Sequence, residues 1–465
     1  MNRMHLDEKI ENMAPGILMA LVAATAFFAL FPSWLNFDII SKDGAYQYIP
    51  MARQIIEGEL KEVLLDNPQL PLFPLIIAGM STLTGLNLEL SGRIISYAAY
   101  ILAAMGLFRI TVLLFKERGI ALLAVLFMLT NRQLAVRSVD CLKETLLIAC
   151  VIWGNYFILE GIWALARKWP YYLAGVSLLL AGALFRSTSL IFLCAWLVMW
   201  VFRKREGWQV RAVLFTVPFV LALAAWKLVP DLPIFGKGSY HLGFLFSSTS
   251  GIRDALGTGM KVIGSFFSTA NVVVILFGLY GLYRLRKSPY AAHVLLTLAM
   301  TLLIIVFWRY QSKRYLLAPI VWMYPLCAYF VAEALRSARA SLKAFGSFAI
   351  VVCLAFWVHL ALTPPDPDKL ARKESGEWIL SRLGPDQEIL SNRDVLVFYA
   401  QGKPLPLSSF DEESSRSLVL AIDVLHEDGK ALEAKMLSLG RKPDRRFRTI
   451  SVYLPHAMST GMPVQ

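Results

Sequence analysis

Charged residues are scarce in this chain. Of 465 residues only 17% are charged and 57% are hydrophobic, a balance outside the range of ordinary soluble domains. Acidic residues are scarcer than basic ones, and the formal net charge is +13. In so apolar a chain, the basic excess indicates positively charged loops that face anionic lipid. The sequence therefore predicts a polytopic membrane protein whose partners are membrane lipids and not nucleic acid.

Cysteine and histidine are also few and scattered. The five cysteines lie in or beside apolar runs without metal-ligand spacing, which is typical of buried small hydrophobic residues. His241 is a lone histidine in a loop rich in glycine and serine. These absences argue against a zinc site or a disulfide framework. No cofactor is required, although Mg²⁺ or Mn²⁺ bound by carboxylates and phosphate oxygens stays open.

The chain has no cleavage signal after its first apolar segment and no internal repeat. Residues 1–14 mix acids and bases, which predicts a short cytoplasmic N terminus before an uncleaved first span. A membrane-spanning helix needs about 20 apolar residues. Residues 71–86 are too short, which favours an interfacial or re-entrant segment. The predicted spans are 15–35, 91–115, 119–136, 143–166, 170–185, 188–202, 209–229, 262–283, 290–308, 314–335 and 344–363.

The distribution of basic residues predicts the orientation of these spans. With eleven spans and a cytoplasmic N terminus, five basic loop clusters lie on the cytoplasmic side. The C-terminal part then lies outside, and a bacterial inner membrane is the expected location. Several basic residues fall on the outer side despite this rule, which points to a site there. These residues are Arg132, Arg137, Lys143, Arg186, Arg309, Lys313 and Arg314.

The composition changes after Thr363. Residues 15–363 form the predicted transmembrane domain, and residues 364–465 are polar enough for a small domain outside the membrane. Helix and strand patterns alternate in this tail, which predicts an α/β domain. The predicted helices are 369–383, 393–399 and 430–439, and the predicted strands are 388–391, 418–422 and 447–454.

Residues 37–90 form the predicted first extracytoplasmic loop, which contains Asp43. Apolar residues at helical spacing follow Asp43 and predict a helix in the membrane interface. As a lone acid, Asp43 suits either a capping role at this helix or a chemical one. The apolar positions are Ala45, Tyr48, Met51, Ala52, Ile55 and Ile56.

Other ionisable residues gather at the predicted outer face. Arg186 lies between two apolar runs with almost no loop, where a guanidinium suits either a phosphate clamp or snorkelling to the lipid headgroups. Asp140 and Glu144 are spaced i and i+4 at the start of a span, and Lys143 lies between them. This trio suits either anchoring of the helix or a cavity shared with Asp43.

These segments, in this order, resemble the polyprenyl-phosphate-sugar-dependent glycosyltransferases of the GT-C superfamily. The similar branch includes the dolichyl-phosphate-mannose protein mannosyltransferases and the lipid A aminoarabinose transferases. The resemblance covers nearly the whole chain, including the tail with GEWI and VFYAQGK. It is carried by Asp43 with Tyr46, by Ala52, Arg53, Ile56 and Gly58, by PLFP at 71–74, by Gly85, by GALFRSTSL at 182–190 and by KRYLLAPIVW at 313–322.

The resemblance implies an all-α membrane fold of about eleven helices with a small C-terminal α/β domain. It also implies transfer of a sugar from a polyprenyl-phosphate donor to a lipid, glycan or protein acceptor, with inversion. The family often carries an Asp-Glu pair in the first loop, whereas this chain has Asp43-Gly44. Asp43 is thus the implied general base. The residues expected to bind the donor are Tyr46, Arg137, Asp140, Lys143, Glu144, Arg186, Arg314 and Tyr315.

Two other function classes fit a chain with this many spans. A transporter or lipid flippase would carry mid-span charges or broken helices and similar halves, and the sequence shows neither. A non-catalytic partner in surface-polysaccharide assembly would be favoured if the Asp43-Gly44 departure marked a decayed site.

Overall fold

The computed structural model describes most of the chain in two compact units. The first unit contains Met1–Leu35 and Ala52–Leu362, and the second contains Asn36–Met51 and Thr363–Gln465. The predicted span 209–229 and His241 lie outside the described residues. The described residues are 13–36, 40–66, 71–163, 168–186, 188–202, 261, 264–266, 269, 272–308, 313–362, 366–405, 410, 418–425 and 427–455.

The described part of the first unit is helical, as its long apolar runs predict. The helices are α1 (Pro15–Asn36), α2 (Ile49–Ile56), α3 (Leu60–Asp66), α4 (Leu72–Thr84), α5 (Leu88–Phe115), α6 (Arg118–Leu129), α7 (Arg132–Ser138), α8 (Glu144–Trp163), α9 (Lys168–Phe185), α10 (Ser189–Phe202), α11 (Val272–Arg284), α12 (Pro289–Trp308), α13 (Leu317–Val321), α14 (Met323–Arg336) and α15 (Ala340–Leu362). The last residue of α1, Asn36, and the first three residues of α2 are assigned to the second unit.

Two of the predicted spans are broken helices. α6 and α7 meet at an angle of 73°, and the chain from Arg314 to Arg336 bends by 46°. The side chain of Asn131 starts α7 by accepting the N–H of Leu134 at 3.0 Å. Among the described residues four helices are long and apolar enough to cross a membrane, or up to six if each bent pair is one span. α4 is one of several shorter apolar helices, so the count of about eleven spans remains a prediction.

Close backbone contact between α8 and α9 determines where the ends of these two helices meet. A Cβ atom at Gly175 would lie 2.7 Å from the carbonyl oxygen of Gly154. Small residues of this kind let two helix backbones approach closely within a membrane protein. Because the short connection makes α8 and α9 antiparallel neighbours, the N-terminal end of α8 lies beside the C-terminal end of α9.

The C-terminal part of the second unit is a mixed sheet covered by helices. Its strand order is β2-β1-β3-β5-β4. β1 pairs in parallel with both β2 and β3, and β5 pairs antiparallel with β3 and β4. The elements are α16 (Pro367–Leu383), β1 (Glu388–Ser391), α17 (Asp394–Tyr399), β2 (Lys403–Leu405), β3 (Val419–Asp423), α18 (Glu427–Ser438), β4 (Arg445–Phe447) and β5 (Ile450–Tyr453).

This sheet agrees with the predicted alternation of helix and strand and adds two features. Strand β2 was not predicted, because three residues are too few to show a pattern. The predicted strand 447–454 is instead the end of a hairpin, β4–β5. Alternate residues of the strands pack on opposite faces, with Ile389, Val419 and Ala421 in one cluster. Leu390 and Leu420 lie in the other cluster, as the period of two in a strand requires.

The segment after α1 belongs to this second unit. A π-helical turn at Gly44–Tyr48 runs directly into α2, so the helix predicted after Asp43 is present. The N–H of Ile40 donates a hydrogen bond to the hydroxyl of Tyr399 at 3.0 Å. Tyr399 is the last residue of α17. The segment that precedes Asp43 is therefore attached to the C-terminal α/β part of the chain.

Candidate active site

Glu144 is the centre of a charged cluster in the first unit. Its Oε1 lies 3.2 Å from Nη1 of Arg186 and 3.7 Å from Nη1 of Arg314. The Glu144 side chain is 2% exposed, whereas those of Arg186 and Arg314 are 12% and 24% exposed. The guanidinium of Arg186 also lies over the ring of Tyr315, at 3.9 Å from the ring centroid. Four of the sequence-predicted donor-binding residues thus come together.

The local structure of three segments brings these residues to one place. Glu144 is the first residue of α8, where the helix dipole favours a carboxylate. Arg186 directly follows α9, where the same effect favours a cation. Its N–H donates to the carbonyl of Gly182 at 2.9 Å. Arg314 and Tyr315 lie in a 3₁₀ turn, Lys313–Leu316, that leads into α13.

The first turns of α5 hold the loop that precedes Glu144. Nε of Arg93 donates to the carbonyl of Val139 at 3.0 Å, and its Nη2 donates to the carbonyl of Trp34 at 3.1 Å. The hydroxyl of Ser96 contacts both the carbonyl and the N–H of Leu142, at 2.9 and 3.2 Å. These contacts fix the loop on α5 and so fix the start of α8.

Sequence reasoning missed Arg93 and Ser96. Both lie inside a long apolar helix, and no residue pattern marks them as partners of a loop more than 40 residues away. Arg93 is only 8% exposed, and Ser96 is fully buried. Buried polar side chains in an apolar helix are the signal that could have singled them out, because they need partners.

Three further predicted residues surround the cluster. Arg137, at the end of α7, interacts electrostatically with Glu144, Asp140 and Arg186. Its Nε is buried without a hydrogen-bond partner among the described residues. The carboxylate of Asp140 accepts the N–H of Cys141 at 2.8 Å, and Lys143 is 9% exposed. The three arginines outnumber the two carboxylates, which leaves this cluster with a surplus of positive charge.

Asp43 and Tyr46 belong to the second unit. Asp43 stands directly before the π-helical turn, but its side chain makes no capping hydrogen bond. The hydroxyl of Ser41 fills that role by accepting the N–H of Gly44 at 3.2 Å. The capping interpretation of Asp43 therefore loses its support. Tyr46 is 51% exposed, whereas Ala45 and Tyr48 on the opposite side of the turn are buried.

The described residues contain no group of three or more histidine, cysteine, aspartate or glutamate side chains arranged to hold a metal ion. Oε1 of Glu144 contacts two arginines, whose positive charge disfavours a cation nearby. The arginines around Glu144 therefore favour an anion at this cluster.

Comparison with solved structures shows what this arrangement of helices resembles. ArnT from Cupriavidus metallidurans bound to undecaprenyl phosphate superposes with a TM-score of 0.66 at 12% identity, over 94% of this chain and 98% of that one. Its apo form gives 0.61 at 13% identity, over 93% and 97%. The oligosaccharyltransferase AglB from Archaeoglobus fulgidus, in complex with an inhibitory peptide and a dolichol-phosphate, gives 0.51 at 13% identity, over 83% and 64%.

This chain has the GT-C fold. Both ArnT and AglB are GT-C glycosyltransferases, and the match to ArnT covers nearly the whole of both chains. The predicted resemblance to the GT-C superfamily is thereby confirmed at the level of the fold. No protein-family model matches the sequence, and no curated protein matches it. At these low identities the GT-C fold is recognisable from helix order and packing, not from aligned residues.

Proposed function

We propose that this chain is a membrane glycosyltransferase that transfers a sugar from a polyprenyl-phosphate donor to an acceptor hydroxyl. The observation that carries the proposal is the pair of arginines, Arg186 and Arg314, on the single buried carboxylate of Glu144. In a GT-C fold, such a cluster suits the phosphate of a lipid-linked donor.

The charge and geometry of the cluster support phosphate binding. Each guanidinium carries five N–H donors, and the contact with Glu144 occupies one nitrogen of each. Guanidinium groups bind phosphate oxygens in a paired geometry that suits a lipid-linked phosphate. The ring of Tyr315 lies beneath the Arg186 guanidinium and adds a cation–π contact. The cluster thus offers oriented donors before the substrate arrives.

The ligands of two solved structures with the same fold support a polyprenyl-phosphate donor. The ArnT structure holds undecaprenyl phosphate, and the AglB structure holds a dolichol-phosphate. We infer that the donor here is likewise a polyprenyl phosphate, with its tail among the apolar helices. The other residues predicted to bind its phosphate and sugar are Arg137, Asp140, Lys143 and Tyr46.

The reaction needs one base and a stabilised leaving group. Asp43 would remove the proton of the acceptor hydroxyl as its oxygen forms a bond to the anomeric carbon. The bond from that carbon to the phosphate oxygen breaks, and the polyprenyl phosphate leaves with the electron pair. Arg186 and Arg314 would stabilise the charge that develops on this phosphate. One direct displacement inverts the anomeric centre.

The transfer would take place on the extracytoplasmic face of a bacterial inner membrane. This placement depends on the predicted cytoplasmic N terminus and on the predicted domains 1–14, 15–363, with the loop 37–90, and 364–465. The acceptor is a lipid, a glycan or a protein. Lipid phosphate stays in the membrane after transfer, so a membrane-embedded active site suits this chemistry.

The test is a single-turnover assay with the full chain in lipid nanodiscs. Radiolabelled polyprenyl-phosphate sugars are supplied with a cell-envelope fraction as acceptor, and wild type is compared with Asp43→Asn. We expect transfer by wild type and a loss of about 100-fold or more in the variant, the range typical of a general base. Glu57→Gln is the control, because Glu57 is an exposed acid close in sequence.

Two outcomes contradict the proposal at different points. If Asp43→Asn transfers sugar as fast as wild type, Asp43 is not the base, but the chain is still a transferase. Absence of transfer with every donor, from a folded protein that binds the lipid, removes the transferase itself. In that case lipid movement across proteoliposomes becomes the next measurement, because it tests the flippase alternative.

A further inference from the structure

We propose a second anion-binding site, for a phosphate-type oxyanion, in the C-terminal α/β part of the second unit. Two arginines, Arg372 and Arg393, converge there on the buried carboxylate of Asp423. The proposed transfer reaction uses none of these residues.

The arginines meet at the carboxyl ends of two neighbouring strands. β1 ends at Ser391 and β3 ends at Asp423, and the two strands are parallel. The chain leaves β1 towards β2 on one side, whereas it leaves β3 towards β4 and β5 on the other side. Connections that diverge from adjacent parallel strands define a topological switch point. In open α/β sheets, ligands bind outside the carboxyl ends of the strands at such points.

Asp423 holds the two guanidinium groups in place. Its Oδ2 lies 2.8 Å from Nε of Arg393 and 3.1 Å from Nη2 of Arg372. Its Oδ1 accepts the N–H of Leu425 at 3.1 Å, and the side chain is fully buried. Asn392 links the strand ends, because its amide exchanges two hydrogen bonds of 3.0 Å with the backbone of Asp423. One carboxylate between two guanidinium ions leaves a net positive charge.

Each arginine has a buried N–H donor that is unpaired within the part of the chain that the structure describes. Nε of Arg372 and Nη2 of Arg393 are buried and have no hydrogen-bond partner among the described residues. A buried donor without a partner is costly, and such atoms in a native structure commonly meet a water or a ligand. The side chains remain 20% and 25% exposed, so a small anion can reach the same guanidinium groups from solvent.

The backbone next to Asp423 is closely packed, and the acids at the start of α18 are exposed. Gly429, in the first turn of α18, lies against the end of β3, where a Cβ atom would be 2.0 Å from the carbonyl oxygen of Asp423. The neighbouring acids Glu427 and Asp428 are exposed. Within the part of the chain that the structure describes, neither acid pairs with Arg372 or Arg393. A tetrahedral oxyanion, with several acceptor oxygens, matches two convergent guanidinium groups better than a monodentate anion does.

The test measures binding of inorganic phosphate to the full chain by isothermal titration calorimetry, in nanodiscs of neutral phosphatidylcholine. All proteins carry Arg186→Gln, which removes one of the phosphate contacts proposed for the donor site. We expect phosphate to bind this background and Arg372→Gln or Arg393→Gln to weaken that binding about tenfold, the effect of losing a charge-assisted hydrogen bond. Arg445→Gln is the matched control, because Arg445 is an exposed arginine of the same sheet.

The proposal is overturned if the background protein does not bind phosphate. It is also overturned if the Arg372 and Arg393 variants bind phosphate as tightly as the background protein does. If a glutamine variant fails to fold, Arg393→Lys is used in its place, because it keeps the charge. This variant should also weaken phosphate binding, because lysine lacks the paired donors of arginine. Two competition arms identify the source of the oxyanion. Displacement by glycerol phosphate supports a soluble phosphate ester, and displacement by phosphatidic acid in the nanodisc supports a lipid headgroup. Since donor turnover is not the readout, failure here leaves the proposed transferase untouched.

Discussion

The backbone N–H of Ile40 donates a buried hydrogen bond of 3.0 Å to the hydroxyl of Tyr399, across 359 positions of the sequence. Ile40 precedes Asp43 by three residues, and Tyr399 ends a helix of the C-terminal α/β part. The segment Asn36–Met51 and the C-terminal part therefore belong to one compact unit. If Asp43 is the base, the C-terminal part helps to position it through this hydrogen bond.

Replacing Tyr399 with phenylalanine should loosen this loop without unfolding the domain. The variant keeps the ring beneath Lys373 and loses one buried hydrogen bond, worth about 0.5–1.5 kcal/mol. We expect faster hydrogen exchange at residues 40–48 and a transfer rate a few-fold lower. Hydrogen-exchange mass spectrometry and the single-turnover assay measure the two effects. Tyr171→Phe, at an exposed residue of α9, is the control, and unchanged exchange at residues 40–48 would contradict the prediction.

The sequence predicted the helices and strands well because their signals are local. Apolar runs of span length and alternating strand patterns depend only on neighbouring residues, so β1 was predicted with its observed bounds. The bend within the predicted span 119–136 was not predicted, although Asn131 starts a new helix inside it. A side-chain cap breaks a helix without lowering its hydropathy, so an apolar window does not detect it.

The pairing of charges could not be predicted in the same way. Arg186 and Glu144 were both expected near a phosphate, yet their mutual contact depends on close packing between α8 and α9. The same limit applies to Arg93, whose partner carbonyls belong to Val139 and Trp34. Asp423 followed a predicted strand, but its arginines come from elsewhere in the chain. Such contacts depend on tertiary structure, which local periodicity does not encode.

Glu144→Gln should destabilise the protein more than a comparable change at an exposed ion pair. Removal of the carboxylate leaves two partly buried guanidinium ions without their shared partner, a loss we estimate at about 1–3 kcal/mol. Glu117→Gln is the matched control, because Glu117 pairs with Arg336 while both side chains are well exposed. Such pairs contribute little. Thermal unfolding in nanodiscs measures both variants, and equal shifts in Tm would argue against a structural role for Glu144.

Arg186→Lys should weaken donor binding although it conserves the charge. Lysine cannot donate two parallel hydrogen bonds to one phosphate, and it stacks less well on Tyr315. We expect affinity for undecaprenyl phosphate to fall about tenfold, the effect of one charge-assisted hydrogen bond. Arg132→Lys is the control, because Arg132 is exposed at the start of α7. Competition binding with labelled lipid is the measurement, and wild-type affinity in Arg186→Lys would remove Arg186 from the phosphate site.

Gly92→Ala should displace the loop that precedes Glu144 and so disturb the candidate active site, although Gly92 is not part of that site. A Cβ atom at Gly92 would lie 2.2 Å from Sγ of Cys141, so the loop before Glu144 must shift away from α5. We expect lower transfer by about tenfold or more, because small displacements of positioned groups are costly in catalysis. Gly79→Ala is the control, since its Cβ atom would meet no atom within 4 Å. The double variant Gly92→Ala/Cys141→Ala removes the clashing sulfur and leaves Cδ1 of Ile77 at 3.2 Å and the Cys141 Cβ at 3.4 Å. Recovery of transfer in the double variant would show that the loss comes from loop displacement, whereas persistent loss would place the effect of Gly92 elsewhere.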